Sequence, residues 1–118
     1  MTATLLDMLI AGQQALTDWV EGHWHDPVVH RCGEVWLRIT VKDGRYTLWQ
    51  MTYGRQVRAS GGEILTEDRA GLIVRNEGVG QTQRIRYVSR NAHVVERPDG
   101  SGGITYVRCP EGSIPPTS

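Results

Sequence analysis

The sequence predicts a mainly β protein: an antiparallel up-and-down meander that closes into a small barrel, preceded by one N-terminal α-helix. Three observations carry that reading. From Val35 onward, roughly seven or eight short segments alternate apolar with polar residues at about 8–12-residue spacing. Glycine turns separate them, with 14 glycines in the chain. No helical stretch lies between successive segments, which argues against the long crossovers that parallel strands require. A chain of 118 residues makes one domain. We divide it into a helix over 1–21, a barrel over 22–109 and a loose tail over 110–118.

The helix runs from Thr4 to about Glu21. Thr4-x-x-Asp7 has capping-box spacing, Leu5, Leu9, Leu16, Trp19 and Val20 recur at helical intervals, and Gly22 supplies a stop. Residues 1–21 hold no Lys or Arg, so a helix packed on its own domain is expected over a membrane-surface anchor. Val35–Val41 is the first long strand. Asp43-Gly44 is a hairpin turn, with Tyr46–Tyr53 as the return strand. Gln56–Ser60 closes at Gly61-Gly62, and Glu63–Thr66 continues it after a bulge. Gly71–Arg75, Gln81–Ser89, Ala92–Glu96 and Ile104–Cys109 complete the sheet. The tail from Pro110 has no periodicity and three of the five prolines, and it is expected to be loose.

Net charge is zero and the sequence pI is about 6.9, which excludes a role dominated by nucleic acid or acidic membranes. No apolar run approaches the ~20 residues of a membrane span. The N-terminus lacks a positive leader region, and Asp7 interrupts Leu5–Ala11. As written, the chain reads as cytoplasmic; removal of an upstream leader would make it periplasmic or secreted.

Gly22-His23-Trp24 at the entry to the first strand, followed by a meander of short antiparallel strands, resembles the calycin superfamily of lipocalin-like barrels. The resemblance covers roughly Gly22 to Cys109. It implies that Trp24 closes the barrel base and that an Arg near the last strand, here Arg108, packs across it. It also implies binding: small apolar ligands in most members, partner proteins in some small bacterial inhibitors. The chain departs from the family in its short length and in a helix that precedes the barrel.

The first functional reading is a non-enzymatic barrel holding a small apolar or amphipathic ligand. Eight strands leave room for at most one, lined here by Leu37, Ile39, Leu48, Ile85, Tyr87 and Tyr106. The alternative is a protein-interaction module: an inhibitor, immunity or assembly protein. Strand parity turns Trp36 and Arg38 outward, and with Trp49, Arg84 and Arg86 they form a candidate partner face of the composition found at hot spots. Cross-strand pairing with acidic residues is the other use for those arginines.

Cys32 and Cys109 bracket the sheet. Barrel closure would bring their Cα atoms to roughly 4.4–6.8 Å, within bridging range. Two separate thiols in a reducing compartment are the other reading. His23, His25 and His30 crowd one loop and are candidate metal ligands, although their spacing matches no strong framework and Pro27 interrupts any helix. Exposed histidines at a strand entry are the commoner case, so no metal is expected. No cofactor motif is present, and His93 on a strand reads as a satisfied structural histidine. Ser60, Ser89 and Ser101 lack a nucleophile-elbow context.

Overall fold

A meander leaves two sheet edges exposed unless its first strand meets its last. In the computed structural model, which describes residues 18–78 and 80–115, they meet. The strands are β1 (Gly22–His25), β2 (Val35–Lys42), β3 (Arg45–Thr52), β4 (Arg55–Asp68), β5 (Gly71–Asn76), β6 (Thr82–Ser89), β7 (Ala92–Glu96) and β8 (Gly103–Arg108). Each pairs antiparallel with the next and β1 pairs with β8, giving a closed barrel with up-and-down connections. The Gly22–Trp24 approach is thus itself a strand.

Residues 4–17 of the expected N-terminal helix lie outside the described residues. Asp18–Glu21 form a turn, with the Glu21 N–H donating to the Asp18 carbonyl at 3.3 Å, and no helix is among the described elements.

The β2–β3 hairpin follows from its turn: Asp43 and Gly44 both have positive φ, 53° and 73°, which matches the twist of the flanking strands. β4 is one long strand, not two segments. Gly61 and Gly62 sit inside it, and a Cβ on Gly62 would lie 2.0 Å from the Arg75 carbonyl oxygen. The register shifts between Leu48 and Trp49 on β3 and between Ile64 and Thr66 on β4. These bulges bend β4, which lets a single strand serve a tightly curled sheet.

Alternation directs Trp24, Ile39, Tyr46, Leu72, Val74 and Ile85 into one buried cluster, with Val20 joining from the turn before β1. A second cluster lies on the outer surface of the sheet. There Trp36 and Met51 are fully buried, and Cys109, Cys32, Trp49 and Ile114 pack on them. Two expectations are corrected by this cluster. Trp36 does face away from the barrel interior, as parity requires, but it is covered by Cys32 from the β1–β2 loop and by Ile114 from the tail. The tail is therefore held at Ile114 rather than loose throughout 110–115; residues 116–118 lie outside the described residues.

Cys32 and Cys109 form a disulfide with Cα atoms 5.8 Å apart across 77 residues of sequence. It stands beside the shortest seam of the barrel. β1 and β8 share only Trp24↔Arg108 and His25↔Val107, so side chains must reinforce what little ladder there is.

Candidate functional site

The inward positions line a partly open cavity of about 250 Å³. Its aliphatic wall is Leu37, Ile39, Leu48, Ile85, Val95 and Ile104, with the Trp24, Tyr46 and Tyr106 rings beside them. Five of the six ligand-lining residues expected from the sequence are there. Tyr87 is not: it keeps its inward parity but sits at the barrel end, with its ring 5.2 Å from that of Trp19 and 38% of its surface exposed.

One end of the barrel is closed by a stacked lock. The Arg108 guanidinium carbon lies 4.2 Å from the Trp24 ring centroid. Its three nitrogens donate to the carbonyls of Arg90 (3.1 Å), Glu21 (2.9 Å) and Trp19 (2.7 Å). Trp24 Nε1 donates to the Val20 carbonyl at 2.8 Å. Gly22 has φ +123°, and a Cβ there would lie 2.5 Å from Arg108 Nη1, so glycine is required where the guanidinium crosses the strand. The residues paired in the sequence reading, Trp24 and Arg108, are thus in direct contact. The lock uses every guanidinium nitrogen and joins β1, β8, the β6–β7 turn and the segment before β1.

The polar groups around the cavity divide into partnered and unpartnered ones. The Tyr46 hydroxyl donates to Asn76 Oδ1, Asn76 Nδ2 donates to Gln83 Oε1 at 3.0 Å, and Gln83 Nε2 donates to the Glu96 carbonyl at 3.2 Å. His93 differs. It is 1% exposed, its ring meets Trp24 edge-on at 4.2 Å, and its Nδ1 has no hydrogen-bond partner among the described residues. Burial and then the Arg108 charge push its pKa from 6.5 down to about 4, so it is neutral at pH 7. The expectation of a satisfied structural histidine is corrected at Nδ1. The sequence does carry its inward position, since His93 has the parity of Val95.

This histidine gives the fold an acid limb. Below pH 6.5 the unfolded chain takes a proton that folded His93 refuses until about pH 4. Stability is therefore expected to fall with decreasing pH across that window, by up to about 3 kcal/mol. Burial, Arg38 and Arg108 also lower the pKa of His23, which adds in the same direction. Urea unfolding at several pH values checks this, and His93→Phe should flatten the limb; an equally steep limb in the variant would assign it to other groups.

The expected partner face does not form. Trp36 is buried, and its Nε1 donates to His23 Nδ1 at 2.9 Å. Trp49 is half-buried and donates to Thr40 Oγ1 at 2.9 Å, while Arg38 donates to Gln56 Oε1 at 2.7 Å. Arg84 and Arg86 are exposed on β6, four strands around the barrel from β2, and Arg86 pairs with Glu96 at 3.2 Å. The five residues therefore cannot share one contact surface.

Nor do the three loop histidines converge. His23 accepts from Trp36, His25 Nδ1 lies 2.9 Å from the Val107 carbonyl, and His30 Nδ1 accepts from the Asp26 N–H at 3.0 Å. His25 does lie with Cys32 and Cys109, their ligand atoms all within 4.8 Å of one another. The two sulfurs are bonded to each other, so that trio offers no thiolate to a metal.

Among the described residues no helix is long and apolar enough to cross a membrane. No protein-family model, no curated protein and no solved structure matches this chain.

Proposed function

We propose that the protein is a non-enzymatic, lipocalin-like binding protein whose barrel holds one small apolar or amphipathic molecule. The observation that carries this reading is the cavity of about 250 Å³ walled by aliphatic side chains from several strands. An apolar cavity of about 150 Å³ already takes benzene, whereas drug-sized ligands occupy roughly 300–1,000 Å³. The occupant is thus a single ring or a short chain rather than a long fatty acid. The Trp24–Arg108 contact and the glycine beneath it support the likeness to lipocalin-like barrels. The disulfide favours action in an oxidising compartment, periplasmic or extracellular.

Isothermal titration with toluene tests the binding reading. The expected result is saturable one-to-one binding, abolished by Leu48→Trp, which fills the cavity. Absence of saturable binding, or binding that Leu48→Trp leaves intact, would contradict it.

A further inference from the structure

Cys32 and Cys109 cover Trp36 and Met51 where β1 and β8 pair at only two positions. A disulfide at that seam needs no third group, yet His25 stands beside it. Its Nδ1 lies 3.8 Å from Cys109 Sγ and 2.9 Å from the Val107 carbonyl oxygen. One ligand atom from each of His25, Cys32 and Cys109 falls within 4.8 Å of the others. His25 ends β1, Cys32 belongs to the loop that follows it, and Cys109 comes directly after β8, so the trio straddles the seam.

We propose that His25, Cys32 and Cys109 form a zinc site when the disulfide is reduced, so that the metal staples the seam in place of the bond. In a zinc tetrahedron with Zn–S of about 2.3 Å and Zn–N of about 2.1 Å, neighbouring N and S ligands stand about 3.6 Å apart and two sulfurs about 3.8 Å apart. The His25–Cys109 separation of 3.8 Å is already close to that geometry. The Cys32 sulfur has to swing away from Cys109, and with Cα atoms 5.8 Å apart side-chain rotation supplies that opening. Two thiolates and an imidazole are a donor set for zinc rather than for calcium or magnesium. Three protein ligands leave the fourth position to water. A dithiol reductant opens the site: it passes two electrons and two protons to the Cys32–Cys109 bond, and its own sulfurs join to each other. Zinc then forms a bond to each sulfur, and the two thiol protons leave to solvent. His25 gives the lone pair of Nδ1 with its proton carried on Nε2, and the Val107 carbonyl faces the cation instead of an N–H. The fold thus has one staple for an oxidising compartment and another for a reducing one.

The test uses the full chain, reduced with dithiothreitol, freed of it under nitrogen and titrated with Zn²⁺ or Co²⁺. One metal ion per chain is expected, with thiolate-to-cobalt charge-transfer absorption and a higher melting temperature for the reduced protein in zinc. The oxidised protein and the Cys32→Ala, Cys109→Ala pair should show none of these effects. His25→Ala is expected to lower the zinc affinity of the reduced protein about 100-fold, as much as the largest losses seen on removing groups that only support a ligand. Absence of the charge-transfer band would overturn the site. So would zinc binding without a rise in melting temperature, because the unfolded chain would then bind the metal equally well. Unchanged zinc affinity in His25→Ala would overturn the three-ligand set. Should His25→Ala not fold, ¹⁵N NMR of the histidine rings in the reduced native protein decides: zinc moves the His25 Nδ1 resonance and not that of His30. The same response at both histidines, or at neither, would overturn the site.

Discussion

Removing the Cys32–Cys109 disulfide, by reduction or as the Cys32→Ala, Cys109→Ala pair, is expected to destabilise the barrel by roughly 4–5 kcal/mol. The bond spans 77 residues of sequence, so it constrains nearly the whole sheet in the unfolded chain. For a domain of this size that loss lowers the melting temperature by roughly 15–20 °C. The native state also loses something local. Cys32 and Cys109 cover Trp36 and Met51, so the outer cluster opens where β1 and β8 pair over only two positions. Thermal unfolding with and without reductant measures the effect. Alkylation before and after reduction should add no label and then two per chain. Equal melting temperatures in the two forms would contradict this role for the bond.

Trp24→Ala is expected to cost about 3–5 kcal/mol, the range for truncating a large buried aromatic residue. Trp24 is fully buried, and its removal takes the ring from beneath Arg108 and from against His93. Arg108→Met keeps much of the side-chain length but leaves the carbonyls of Trp19, Glu21 and Arg90 without their donors, at about 3 kcal/mol. The two substitutions disrupt one lock, so the double variant should lose less than the sum of the singles, by about 1 kcal/mol or more. Urea unfolding of the four proteins gives that coupling directly. Additive losses would mean that the stack contributes nothing beyond its separate parts.

The strands were legible where local chemistry decides them. Asp43-Gly44 fixes a hairpin whatever surrounds it, and the alternation in Val35–Val41 and in Gln83, Ile85 and Tyr87 assigns faces correctly. What alternation does not carry is what lies beyond a face. Trp36 points outward as its parity demands, yet a loop and a tail segment distant in sequence cover it. Gly61-Gly62 resembles a strand end because glycine usually weakens strands; here it is needed inside β4, where backbone approaches too closely for a Cβ. Tyr87 was misplaced along the barrel axis rather than across the sheet, since period-two reasoning has no coordinate for depth. The reading of His93 as a satisfied structural histidine fails for a different reason. Its burial follows from strand parity, but the missing partner on Nδ1 depends on which side chains converge from β1, β6 and β8, which no local pattern specifies.

The internal cavity is the centre of the functional reading, and ¹H–¹⁵N NMR titration of the oxidised protein with p-cresol tests it most directly. Saturable shifts are expected at Leu37, Leu48, Ile85, His93 and Tyr106, on five different strands whose side chains meet only inside the barrel. Outer positions such as Arg84 and Glu63 should remain still. Shifts confined to the barrel exterior, or no saturable shifts at ligand concentrations that saturate the titration heat, would contradict an internal site.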